Sequence, residues 1–103
     1  MASSAAAAVT EHCGVATRAF LQKEYAASLV HIQRGIACAL DAARRGQPFD
    51  AHVLERLGVL RYTACVTVYT NAAARTRVLT ALAAADDAHA RAVCALLEAP
   101  AAG

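Results

Sequence analysis

Two histidine–carboxylate pairs are the residues of this sequence whose types and spacing could support metal chemistry. His52 and Glu55 stand three residues apart, and so do Asp86 and His89. Such pairs on facing helices build the di-metal sites of helical bundles, which also need two further carboxylates. The plausible further carboxylates are Glu11 and Glu24. Because His52 and Glu55 sit at a predicted helix start, an exposed cap or ion pair explains them better, and a small helical-bundle metal protein or enzyme is the alternative function.

The other signatures of catalysis are missing from the sequence. It contains no GxxxxGK[ST], GxGxxG, GxSxG or HExxH motif. Glu11, His12 and Cys13 are consecutive, but neighbouring residues of a helix point about 100° apart, so His12 cannot activate Cys13 within one helix. We therefore predict a protein that is not an enzyme, with no cofactor, no bound metal and no small-molecule ligand.

Alanine is the most frequent residue of the chain, and this limits how much apolar side-chain area a core can bury. The 103 residues include 29 alanines and no tryptophan. Alanine is the best helix former but has little side-chain area to bury. The chain should form helices readily, gain little from packing, and depend on a partner, a second copy or neighbouring sequence.

The charge pattern argues against nucleic acid as the partner. Ten Lys/Arg and eight Asp/Glu give a net charge of +2, and the charges are scattered singly apart from Arg44–Arg45 and the Arg75/Arg77 pair. A nucleic-acid binding site needs a basic face with stacking aromatic residues, and neither is evident. Arg44 and Arg45 stand where a helix is predicted to end, and their positive charges interact favourably with the partial negative charge of a helix C-terminus. Their position therefore needs no nucleic-acid partner to explain it.

No apolar run is long enough to span a bilayer, and the first nine residues lack the features of a secretory signal. We therefore expect an intracellular protein, cytoplasmic or held at an organelle surface by a partner. In that compartment the four cysteines should be buried thiols, with two disulfides as the alternative. They are Cys13, Cys38, Cys65 and Cys94.

Few helix breakers interrupt the chain, and their positions predict an all-α fold of four or five short antiparallel helices. Gly46 and Pro48 end one helix, and Asp50 is placed to cap the next. Further helices are expected over 50–70, 72–84 and 87–98, with "CVTVY" inside the first of these because the helical period continues through it. Residues 1–8 should be disordered or fraying, 9–98 one domain, and 99–103 a flexible tail.

The run from Val9 to Arg45 poses the main structural question, because one helix over this length would extend about 55 Å. Two apolar stripes lie on either side of three polar residues, Gln22 to Glu24. A reversal of the chain there would bury the two stripes against each other. We therefore predict a helical hairpin that turns at these residues.

The predicted hairpin resembles a tetratricopeptide repeat, in which small residues let two helices approach and an aromatic residue follows the turn. Ala16, Ser28 and Gly35 match the small positions, Tyr25 the aromatic one and Ile32 the large one. The family's usual bulky residue near the start is His12 here, so the match departs from the pattern at that point. An irregular helical bundle is the alternative architecture.

Leu54, Leu57 and Gly58 resemble the residues that open a second such repeat, so the resemblance covers about residues 9–70. It implies paired helices, a close contact at each small residue, and a groove or helix face that holds a partner polypeptide. Adaptors and organelle-surface receptors use such scaffolds. Because about three repeats are usually needed for stability, the resemblance also implies that the chain docks onto another protein or forms the N-terminal part of a longer solenoid.

The residues most suited to a protein contact lie in the predicted helix 50–70. Tyr62 and Tyr69 are seven residues apart and share a face, and Arg56 and Arg61 flank it. Tyrosine and arginine are enriched where proteins bind one another. We predict a non-enzymatic protein-interaction module, an adaptor or scaffold, that binds another protein or a second copy through this face. A self-associating structural subunit is a further alternative.

Overall fold

The protein is all-α in its computed structural model, which describes residues 4–85 and 87–98. In this part of the chain there are five helices and no strand. They are α1 (Ala5–Leu21), α2 (Tyr25–Arg44), α3 (Ala51–Tyr69), α4 (Ala72–Ala84) and α5 (Ala88–Glu98). The predicted fold class is confirmed, and "CVTVY" lies within α3 as a continuous helix.

The first helix begins earlier than the sequence pattern indicated. We expected residues up to 8 to be disordered or fraying, but α1 starts at Ala5. The Ser4 hydroxyl accepts a hydrogen bond from the Ala7 N–H at 3.1 Å, which satisfies one of the unpaired amides at a helix start. A run of alanines then continues the helix at little conformational cost. Residues 1–3 and the predicted tail 99–103 lie outside the described part.

The chain reverses at the predicted place, between Leu21 and Tyr25. Lys23 adopts a left-handed backbone conformation with φ 62°. The amide of Lys23 donates to the Phe20 carbonyl at 3.0 Å, and that of Glu24 donates to the Ala19 carbonyl at 2.8 Å. These bonds close the end of α1 without glycine, so the hairpin prediction is confirmed although no turn residue marks the site.

Small residues let α1 and α2 pack closely. Ala16 and Ser28 are fully buried, and the Ser28 hydroxyl donates to the Ala16 carbonyl at 2.8 Å. A Cβ atom added to Gly35 would lie 2.8 Å from Leu57 Cδ1 and 3.2 Å from His12 Cβ. A residue larger than glycine at position 35 would therefore force the Leu57 side chain of α3 to shift and would crowd His12 of α1.

Side-chain caps fix the starts of α3 and α4. Gly46 ends the preceding segment with φ 67°, and Asp50 Oδ1 accepts from the His52 N–H at 2.9 Å. Asn71 Oδ1 accepts from the Ala74 N–H at 3.1 Å. These caps explain why the observed limits of α3 and α4 fall within one residue of the predicted ones.

An ion pair connects the start of the last helix to α2. Asp87 Oδ1 accepts from the His89 N–H at 2.7 Å, and its other oxygen pairs with the Arg34 guanidinium of α2. These two interactions hold the pKa of the Asp87 carboxyl below its ordinary value, with the His89 amide contributing most. Asp87 thus links the start of α5 to the middle of α2.

The core is continuous and α2 lies at its centre, since α2 packs against each of the other four helices. It is built from a few large side chains among many alanines. The largest fully buried ones among the described residues are Leu29, Ile32, Leu57, Leu82, Val9, Val68 and Val93. Cys13 is buried, whereas Cys38, Cys65 and Cys94 are half-buried thiols, and no disulfide is present in the described part. None of the described helices is long and apolar enough to cross a membrane.

Candidate protein-binding surface

The outer face of α3 carries a row of exposed apolar side chains, which we call the α3 stripe: Val59, Tyr62, Val66 and Tyr69. Their exposed fractions are 62%, 73%, 43% and 42%. Steps of three, four and three residues keep these side chains on one side of a helix. The core residues of α3, such as Leu57 and Ala64, occupy the opposite side. Val59 and Tyr62 are therefore largely uncovered by the rest of the described chain, whereas Val66 and Tyr69 are more than half covered.

The two predicted tyrosines differ in how firmly they are held. The Tyr69 hydroxyl donates to the Leu97 carbonyl at 3.1 Å, and the Arg75 guanidinium lies 5.8 Å from the ring centroid. Tyr69 is therefore anchored between α4 and α5. Tyr62 is the most exposed member of the stripe, which makes it the side chain with most area left to bury against a partner.

The two predicted arginines lie on opposite flanks of the α3 stripe. Arg56 lines a groove between α1 and α3, with a volume of about 490 Å³. Arg61 lies toward the other flank, near the Cys65 thiol, whose pKa is raised chiefly by burial and lowered in part by the Arg61 charge. Both arginines are exposed. The structure thus places the four predicted contact residues on one helix, with the apolar stripe between the two positive charges.

The groove extends the α3 stripe toward α1. Its lining residues are Thr17, His52, Glu55, Arg56, Val59, Leu60 and Thr63. Val59 belongs to both the groove and the stripe, so the two form one continuous surface. The sequence reasoning missed the groove, because only the packing of α1 beside α3 creates it.

The alternative metal site is not assembled by the described residues. His52 Nδ1 lies 3.8 Å from Glu55 Oε2, and these side chains are 86% and 75% exposed, as expected of an ion pair at a helix start. Asp86 lies outside the described residues, and His89 belongs to α5. Within 4–85 and 87–98, no group of three or more His, Cys, Asp or Glu could hold a metal ion.

A pair of histidines joins α1 to α2 at the centre of the hairpin. His12 Nδ1 and His31 Nδ1 lie 3.2 Å apart, and the ring centroids are separated by 5.4 Å. This centroid separation is close to the largest that the nitrogen distance allows, so the two nitrogens face each other directly. A hydrogen bond between them needs one proton, donated by one ring and accepted by the other. The sequence placed His31 on an apolar stripe, but only the folded hairpin brings His12 to it.

Acidification should destabilise the protein through this histidine pair. Burial lowers the pKa of His31, the neighbouring His12 and Arg34 lower it further, and Glu11 acts in the opposite direction. Because unfolded His31 binds a proton more readily, the unfolded state takes up more protons and stability falls as the pH drops below about 6.5. The pKa of Asp87 is depressed from 3.8, so its contribution is lost only at much lower pH.

Urea unfolding at pH 7.5 and pH 5.0 measures this effect. We expect the wild-type protein to lose stability between these two values and His31→Gln to lose less. The control is His52→Gln, which replaces a histidine in solvent and should follow the wild type. Equal losses in all three proteins would contradict the role of the pair.

Comparisons of the chain with protein-family models, with curated proteins and with solved structures found no match. The resemblance to tetratricopeptide hairpins therefore stays a prediction.

Proposed function

We propose that this chain is a non-enzymatic protein-binding module that holds another polypeptide chain on the α3 stripe and the adjoining groove. The observation that carries the proposal is the concentration of exposed apolar area on α3. Seven large hydrophobic side chains are exposed among the described residues, and four of them form the stripe. The others are Leu21, Leu40 and Leu96.

The α3 stripe and the groove differ from ordinary exposed apolar residues because their side chains form one continuous surface. Scattered apolar side chains are normal at a protein surface, whereas a continuous patch indicates an interaction site. The α3 stripe joins the groove at Val59, and the groove adds the partly buried Leu60. Tyrosine supplies a large contact area with few rotatable bonds, which favours it as an anchor at an interface.

The charges at the rim fit the same role. Arg56 and Arg61 are exposed and flank the α3 stripe without occupying it. Charged residues at the edge of an apolar contact steer partners and exclude wrong ones at little desolvation cost. The tetratricopeptide resemblance, with its partner-holding helix faces, agrees with this proposal.

Site-specific photo-crosslinking tests the proposal. Benzoylphenylalanine replaces Tyr62 in the full chain, and the protein is irradiated in extract of the cells that make it. We expect adducts of defined mass at position 62 and few at position 40, where Leu40 is also exposed but lies on α2. Adding Val66→Glu to the position-62 protein should reduce the adducts at least about fivefold, because the new carboxylate must be desolvated on binding. Adducts that are equal at both positions, or unaffected by Val66→Glu, would remove α3 as the binding surface.

A further inference from the structure

We infer that His31 is a proton-operated switch with two positions. While the histidine pair holds at most one added proton, His31 stays hydrogen-bonded to His12 of α1. When a second proton binds, His31 turns into a neighbouring cavity and pairs with Asp87 at the start of α5. The switch lies outside the α3 stripe and its groove, since none of these three residues belongs to either.

Two facing nitrogens can share one hydrogen and no more. His12 Nδ1 and His31 Nδ1 lie 3.2 Å apart, so one of them donates and the other accepts. The first added proton binds at the free Nε2 of the donor ring and leaves this bond intact, because an imidazolium Nδ1–H still faces a neutral nitrogen. The second proton makes both Nδ1 atoms donors, which breaks the bond and sets two positive charges against each other. The pair should therefore titrate in two separate steps.

The surroundings of His31 oppose the second proton. Burial lowers the pKa of His31 most, and the charges of His12 and Arg34 lower it further. Glu11 of α1 acts in the opposite direction but has the smallest effect of the four. Near His12, α3 contributes the uncharged Leu57. With both rings charged, His31 is therefore stabilised by leaving the contact with His12.

A cavity beside His31 offers the second position. It lies between α2, α4 and the start of α5, has a volume of about 390 Å³, and is lined by His31, Arg34 and Asp87. The residues that α4 contributes to this lining are uncharged. Most of the remaining lining is alanine, so an imidazole ring has room to turn into the cavity. These alanines are Ala26, Ala27, Ala81, Ala85 and Ala90.

Asp87 supplies a negative charge for the protonated ring. Among the described residues that line the cavity, Asp87 is the only acidic one. The His89 amide holds the pKa of its carboxyl below the ordinary 3.8, and the charges of Arg34 and His89 act in the same direction, so Asp87 is still ionised where histidines gain protons. Its oxygens accept from the His89 N–H and from Arg34. Because a carboxylate has about four acceptor positions, Asp87 can accept a further hydrogen bond from His31.

NMR titration of the folded full chain from about pH 8 to about pH 4.5 follows both the protonation and the position of His31. We expect the pair to titrate in two steps whose midpoints differ by at least about one pH unit, a tenfold difference in proton affinity. In the second step, contacts between the His12 and His31 rings should disappear. Nuclear Overhauser contacts between the His31 ring and the methyl group of Ala90, which lines the cavity from α5, should appear instead.

Asp87→Asn tests the second position. Asparagine caps a helix start as well as aspartate does, so α5 keeps its first turn. Loss of the carboxylate should weaken binding of the second proton at least about threefold, and no contact with Ala90 should appear at low pH. The matched control is Asp41→Asn on α2, whose carboxylate pairs with Arg44 and Arg45. This control should titrate and move like the wild type.

Titration of the pair in a single step, or with coincident midpoints, would overturn the inference. So would a His31 ring that stays beside His12 after the second step, or one that turns to solvent without contacting Ala90. Unfolding of the wild type before the second proton binds would overturn it as well, because the switch requires a folded protein with both rings charged. Contacts with Ala90 in Asp87→Asn would contradict it too, since the ring would then enter the cavity without the carboxylate.

Discussion

Replacing Leu57 with alanine should lower the free energy of unfolding by about 3 kcal/mol, in the middle of the range for buried leucine. Leu57 is fully buried, and its side chain reaches the site of Gly35 on α2. Truncation removes apolar contacts and leaves a cavity at the junction of α1, α2 and α3. Because domains of this size are stable by only about 5–15 kcal/mol, the loss is a large fraction of the total.

Urea denaturation followed by circular dichroism measures this loss, since the helical signal reports the whole fold. The matched control is Leu40→Ala, the same change at a leucine that is 54% exposed. We expect the control to stay within about 0.5 kcal/mol of the wild type. Similar effects at both positions would mean that Leu57 does not support the core as the structure indicates.

Two glycine-to-alanine substitutions should change stability in opposite directions. Gly35→Ala places a Cβ atom 2.8 Å from Leu57 Cδ1 and 3.2 Å from His12 Cβ, and Leu57 is fully buried. Overpacking of this kind costs about 1–3 kcal/mol, against a gain of about 1 kcal/mol in helix propensity. We expect a net loss of about 1 kcal/mol. At Gly58 a Cβ atom meets nothing within 4 Å, so Gly58→Ala should stabilise α3 by about 0.5–1 kcal/mol.

Thermal unfolding of the two variants beside the wild type shows whether each substitution raises or lowers the unfolding temperature. The two variants are a matched pair, because each substitution adds one methyl group. A stabilising Gly35→Ala would show that α1 and α2 are less tightly packed than described. A destabilising Gly58→Ala would show that another element approaches α3 at that point.

The surroundings of Gly58 differ from what the resemblance to tetratricopeptide repeats implies for this residue. Paired with Leu57, Gly58 resembles the leucine–glycine of a repeat opening, where a close contact explains the glycine. In the fold, Leu57 is fully buried but Gly58 faces open space. The small residues of the first hairpin behave differently, since Ala16, Ser28 and Gly35 all lie at buried helix contacts.

The sequence by itself determined the helices and most of their limits. Asp50 and Asn71 can each supply a side-chain acceptor to a helix start, and Gly46 and Pro48 cannot continue a helix, so these signals act within a few residues of where they occur. The reversal before Tyr25 was also predictable, because two apolar stripes cannot both be covered in one extended helix. The β-branched residues of "CVTVY" favour a strand, but the helical period through this segment was enough to predict that it belongs to α3. Each of these features depends on neighbours along the chain.

Only the tertiary structure decided which faces are covered and which residues meet. His12 and His31 are nineteen residues apart and come together because α1 and α2 pack at their small residues. Tyr62 and Tyr69 look equivalent in the sequence, but the C-terminal end of α5 anchors Tyr69 and leaves Tyr62 exposed. A periodic pattern reveals that a helix has an apolar face, whereas burial depends on helices that arrive from elsewhere in the chain. The α3 stripe and its groove are therefore products of packing.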